Sequence, residues 1–213
     1  AVFDTDARIA HRLLSQRAAQ HDAVLATLNL LQPGDDAVPA LARLPALVPQ
    51  VQAVQRRAPG QPWGRPALDA AEARSRAAGH AVVAEADLAA GLVLLLAAGH
   101  PASHALALSL PAMVPSAAAT DDPAVERWPL PADGPARVQL RLGDAAWTLA
   151  PGAGDVAGGA LGPGRPFSFA KALASPSQPL VLEVSRPARW GDWPWGPMVL
   201  AAAAWGALLL GAR

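Results

Sequence analysis

Residues 193–212, WPWGPMVLAAAAWGALLLGA, carry no charge. Twenty helical residues rise 1.5 Å each and reach about 30 Å, the hydrocarbon thickness of a bilayer. This stretch constrains the chain more than any other, because a surface helix needs a polar face and this one has none. It predicts one membrane-spanning helix. Trp190, Trp193 and Trp195 cluster at its start, where indole rings favour the headgroup layer, and Arg213 closes it, where a cytoplasmic positive charge is expected. The order then runs from outside to inside. The competing reading is a buried helix of a soluble domain, since the strictly apolar core Met198 to Leu210 is short and rich in alanine.

The opposite end predicts a long helix. Leu14, Ala18, His21, Leu25 and Leu28 recur at three and four, with Asp4 or Thr5 as its cap and Pro33-Gly34 as its stop. About 28 residues make a rod of roughly 42 Å. A rod that long is expected to overhang a small domain, or to pack against a second copy of itself in a homodimer.

Between these ends the pattern turns to short β segments: 48–55, 81–86, 92–98, 104–110, 137–142, 145–149 and 180–184, each bounded by Gly, Pro or Asp. Gly143-Asp144 is a tight hairpin turn. Leu68 to Ala78 reads as a helix ended by Gly79. Residues 151–166 are too rich in Gly and Pro for any element. The expected fold is α+β, with one antiparallel sheet and helices on one of its faces.

Composition narrows the function. Lys plus Arg and Asp plus Glu number 17 each, so no basic field exists to attract nucleic acid. The absence of cysteine removes disulfides and zinc-thiolate sites. No GxSxG, P-loop, GxGxxG after a strand or HExxH is present, so no catalytic site and no cofactor are expected. His100 and His104, with Asp87 or Glu85, have the residue types of a zinc site, but the turn at Pro101 sets the two rings apart and no metal site is expected. The first residue is Ala1, as expected of a piece of a longer protein.

The candidate ligand site lies on the segment 104–110. Its even positions carry His104 and three leucines, and its odd ones Ala105, Ala107 and Ser109. The His104 face is the expected pocket wall, with Arg56 and Lys171 reaching a small anionic ligand, and Lys171 continuing the alternation Phe167, Phe169. The plainer alternative is a filled core with His104 at its edge and both cations in water. His21-Asp22, within HDAVLATLNLL, looks like the phosphoacceptor box of histidine kinases, but the proline expected downstream of it is missing. A structural histidine on an apolar stripe is the stronger expectation.

Four segments, FDTDARIAHRLLSQRAAQHDAVLATLNLL (3–31), LPALVPQVQAVQRR (44–57), ALDAAEARSRAAGHAVVAEADLAAG (67–91) and SQPLVLEVSRPARWGDWPW (177–195), carry a further likeness. Together they resemble the extracytoplasmic sensor region of bacterial membrane-bound two-component histidine kinases. The resemblance implies a signalling helix over 1–34, a PAS-like or Cache-like sensor domain over 35–190 and a membrane helix over 193–212. It further implies residues 1–192 in the periplasm, anchored in the inner membrane, and a cytoplasmic kinase that addresses a response regulator. The other class it leaves open is a membrane-anchored binding or assembly module without kinase output.

Overall fold

The computed structural model describes residues 2–30, 37–58, 60–115, 128–131, 134–152 and 167–188. The expected membrane helix over 193–212 lies outside them, as does most of the loop over 151–166. Among the described residues no helix is long and apolar enough to cross a membrane.

The chain begins with helix α1 (Val2–Leu30). The helix already includes Asp4 and Thr5, so neither caps it; Asp4 instead pairs with Arg8 one turn on, at 3.0 Å. Helix α2 (Ala37–Leu47) follows, then β1 (Val51–Arg57), α3 (Pro66–Ala78), β2 (Val82–Asp87), β3 (Leu92–Ala97), β4 (Ser103–Ser109) and the single turn α4 (Leu110–Met113). Strands β5 (Arg137–Leu142), β6 (Ala145–Ala150), β7 (Phe167–Ala172) and β8 (Val181–Arg186) complete it.

The fold is α+β, but the expectation of one sheet is corrected to two, each of four antiparallel strands. The first runs β1-β4-β3-β2 and the second β6-β5-β8-β7. Helices on one face is corrected as well. Val93, Leu95, Leu106 and Leu108 of the first sheet join the core beneath α1, whereas Leu96 and Ala105 pack on the opposite face against Leu68 and Ala71 of α3. Strands buried on both faces need apolar residues at nearly every position, which is why LVLLLA shows no alternation.

The second sheet is buried on one face. Val138, Leu140, Leu182 and Val184 point into the same core, and the intervening positions are polar. On that polar side Arg141 meets Glu183 at 3.2 Å across neighbouring strands. Gly143-Asp144 makes the β5–β6 turn as read from the sequence, with Leu142 opposite Ala145.

Helix α1 is the spine shared by both sheets. Its buried positions run from Ala7 to Leu28 and include the whole predicted stripe. That stripe is buried within the chain, against both sheets and the segment 173–180. Helix α3 starts on Pro66, whose missing N–H costs nothing there, and stops at Gly79, whose φ of 72° is the left-handed conformation a glycine adopts freely.

Candidate functional site

His104 lies on the face of β4 that α1 covers, as its alternation with Leu106 and Leu108 implies. Its ring is buried beneath the last turn of α1, with Nδ1 2.9 Å from Oδ1 of Asn29. The Asn29 amide also donates to the carbonyl of Ala98 at 3.3 Å. This approach depends on Gly99: a Cβ there would stand 2.7 Å from Asn29 Oδ1 and 2.5 Å from the carbonyl oxygen of Ala102.

Arg56 stands opposite His104 in the β1–β4 register. Burial first, and then the Arg56 charge, lower the His104 pKa, so the ring is neutral at pH 7. These two predicted residues are brought together. Lys171 is not with them: it is exposed on β7, the edge strand of the other sheet. The alternation Phe167, Phe169 faces the first half of α1, where the Phe167 ring meets Phe3 at 5.9 Å and the Phe169 ring meets His11 at 6.2 Å.

Beside Asn29 a cleft of about 260 Å³ opens between the second half of α1, the α3–β2 turn and the end of β3. Its polar side chains are Asp22, Asn29 and His80, and Pro176 closes one side. None of His104, Arg56 and Lys171 lines it; His104 sits one hydrogen bond behind it, through Asn29.

The cleft walls are pinned by hydrogen bonds. Ser75 Oγ donates to the carbonyl of His80 at 2.7 Å and accepts from the Ala98 amide at 2.9 Å, so the end of α3, its turn and the end of β3 move together. The segment 173–180 between β7 and β8 straps α1 from the other side. Asp22 accepts from Ser175 Oγ at 2.7 Å and from Ser177 Oγ, while Gln178 donates to the carbonyl of Ala18 at 3.2 Å. Ser15 Oγ accepts from the Ala174 amide at 3.1 Å.

His21 is fully buried under this strap, with Nδ1 3.5 Å from the Gln178 amide. Desolvation takes its pKa down to about 4, with Arg17 adding to the fall and Gln178 and Asp22 opposing it. A neutral ring with no exposed surface cannot reach a phosphoryl donor, so the likeness to a phosphoacceptor box has no chemistry here.

A second polar centre lies on the α3 face of the first sheet. Glu72 is buried and accepts from Arg57, from Arg76 at 2.7 Å, from Ser103 Oγ at 2.7 Å and from Trp63 Nε1 at 3.0 Å. Burial alone would raise its pKa, but the bonds from Ser103 and Trp63 and the Arg57 charge hold it below the usual carboxylate value. With four donors engaged it ties α3 to the sheet and has little left for a ligand. Among the described residues no three His, Asp or Glu side chains gather as a metal site.

Comparison with protein-family models, with curated proteins and with solved structures finds no match in any of the three.

Proposed function

We propose that this chain is the periplasmic sensing region of a membrane-bound bacterial sensor histidine kinase. In this reading it detects a small molecule in the cleft and passes the signal through the helix over 193–212 to a cytoplasmic kinase acting on a response regulator. The observation that carries the reading is that one cleft touches α1, the α3–β2 turn, the end of β3 and the β7–β8 strap at once. A ligand can shift an equilibrium only by binding two arrangements unequally, and a site shared by several elements feels any change in their spacing. α1 leads in from the start of the chain and β8 leads out toward residues 193–212, so the strap between β7 and β8 joins the incoming element to the outgoing one. The likeness in four sequence segments points the same way.

The test joins the chain, preceded by a membrane crossing, to a reporter histidine-kinase core and measures phosphotransfer against a panel of small metabolites. Output that responds to one compound, and responds less when Ala26→Leu narrows the cleft, is expected. Output that no compound changes, from a chimera that is inserted and phosphorylates itself, overturns the reading.

A further inference from the structure

The cleft offers acceptors and few donors. The Asp22 carboxylate lines it, held in place by the Ser175 and Ser177 hydroxyls, and no Arg or Lys forms an ion pair with it among the described residues. His80 Nδ1 lies 2.7 Å from the carbonyl oxygen of Ala81. A carbonyl oxygen only accepts, so Nδ1–H is the donor in this contact. Asn29 Oδ1 takes the His104 bond and keeps a second lone pair.

Three donors at the rim are engaged, and Asn29 Nδ2 keeps a second N–H. The Asn29 amide donates to the Ala98 carbonyl, the Ala98 amide to Ser75 Oγ and the Gly79 amide to the Ser75 carbonyl. An anion entering the cleft would meet a carboxylate and no Arg or Lys, since none lines it. A protonated amine would meet a fixed negative charge and the remaining lone pair of Asn29 Oδ1, the arrangement that makes charge-assisted hydrogen bonds strong. Leu25, Ala26, Ala81, Ala97 and Ala98 supply an apolar remainder. At about 260 Å³ the space is near the lower end of small-ligand sites, which start at about 300 Å³.

Resting on the sensing reading above, we infer that the cleft takes a small organic amine of a few carbons, with Asp22 as its anionic anchor. The sequence alone points to an anion, because Arg56 and Lys171 end or interrupt apolar segments from which they could reach one; the fold keeps both out of the cleft.

The test is thermal unfolding of the full chain in mild detergent with ethanolamine, 1,4-diaminobutane, succinate or citrate. An amine at about a hundred times its Kd raises Tm by about 5 °C or more. Asp22→Asn weakens that Kd about tenfold to a hundredfold. Ala26→Leu narrows the cleft while keeping every polar group, so it shrinks the shift even where Asp22→Asn fails to fold. An amine shift that survives both variants undiminished overturns the proposal, as does a panel in which only the carboxylates, or none of the four, raise Tm. The carboxylate result leaves the sensing reading standing with another ligand. An amine that binds through Asp22 yet leaves the chimera's phosphotransfer unchanged upholds the ligand class and defeats the sensing reading instead.

Discussion

The two sheets hold the two halves of α1 by different means. Along the first half, β7 and β8 reach the helix directly: Phe167 lies near Phe3, the Arg186 guanidinium lies 5.8 Å from the Phe3 ring, and His11 Nε2 is 2.7 Å from the carbonyl oxygen of Ala172. Along the second half the first sheet offers Leu95 and Leu106 as floor, one polar link through Asn29, and a cleft beside it, while the strap over 173–180 holds Ala18 and Asp22 by hydrogen bonds from the other side. The difference teaches where the helix can yield. A fully packed interface resists displacement because its side chains interlock, while an unfilled hollow leaves room for a second arrangement.

The comparison breaks most visibly at the centre of the helix. Leu14 and Leu25 are both buried in the shared core. Leu14→Ala and Leu25→Ala are each expected to cost about 2–5 kcal/mol in urea unfolding. Because one helix serves both sheets, hydrogen exchange is expected to speed up in β3 and β8 together for either variant. Loss of protection in one sheet alone would mean that the halves unfold independently.

A pH titration sharpens the comparison at the strap. The folded His21 pKa, about 4, lies below the ordinary 6.5, so the unfolded chain binds the proton first. The stability owed to the neutral ring is complete above pH 6.5, falls as pH drops toward 4, and levels off below that, a total of about 3 kcal/mol. His104 shifts the same way and adds to the slope. His21→Met is expected to flatten the profile between pH 6.5 and 4; an unchanged slope would place the buried proton site elsewhere.

The smallest effects compare the two ends directly. Asn29→Ala leaves the buried His104 nitrogen and the Ala98 carbonyl short of a partner, and is expected to cost about 1–3 kcal/mol. Phe3→Leu keeps apolar bulk while losing the ring contacts to Phe167 and Arg186, and is expected to cost about 0.5–1 kcal/mol. Reversal of that order in chemical denaturation would move the weaker attachment of α1 to its first half.

Much of this fold can be read in the sequence where periodicity is clean. The stripe Leu14, Ala18, His21, Leu25 and Leu28 is buried as a unit, Gly79 ends α3, and Gly143-Asp144 turns the β5–β6 hairpin. Helix α2 goes unread because Pro39 and Pro45 interrupt its apolar stretch, and proline is a poor helix former. β7 shows only as the alternation of Phe167, Phe169 and Lys171, since most of this edge strand is exposed. The division into two sheets is not encoded in any strand; it depends on which strands pair, and both sheets present apolar residues to α1. The cleft escapes for a related reason. Asp22, Asn29 and His80 meet only when α1, the α3–β2 turn and β3 converge, and Asp22 reads first as the neighbour of His21. The one local hint is Ser175-Pro176-Ser177, two hydroxyls spaced to grip a single carboxylate.

The tie between α1 and the strap also sets an order of events. His11 and its acceptor at Ala172 are 161 residues apart, and Gln178 reaches Ala18 across 160. At a ribosome's roughly 5–20 residues per second, the first helix waits roughly 8–30 s for the partners that cover its buried side. Until then Leu13, Leu14, Leu25 and Leu28 are without their final neighbours, and contacts closed over so long a loop form slowly. The element made first is satisfied among the last, so the start of this chain is the part a holding chaperone would occupy longest.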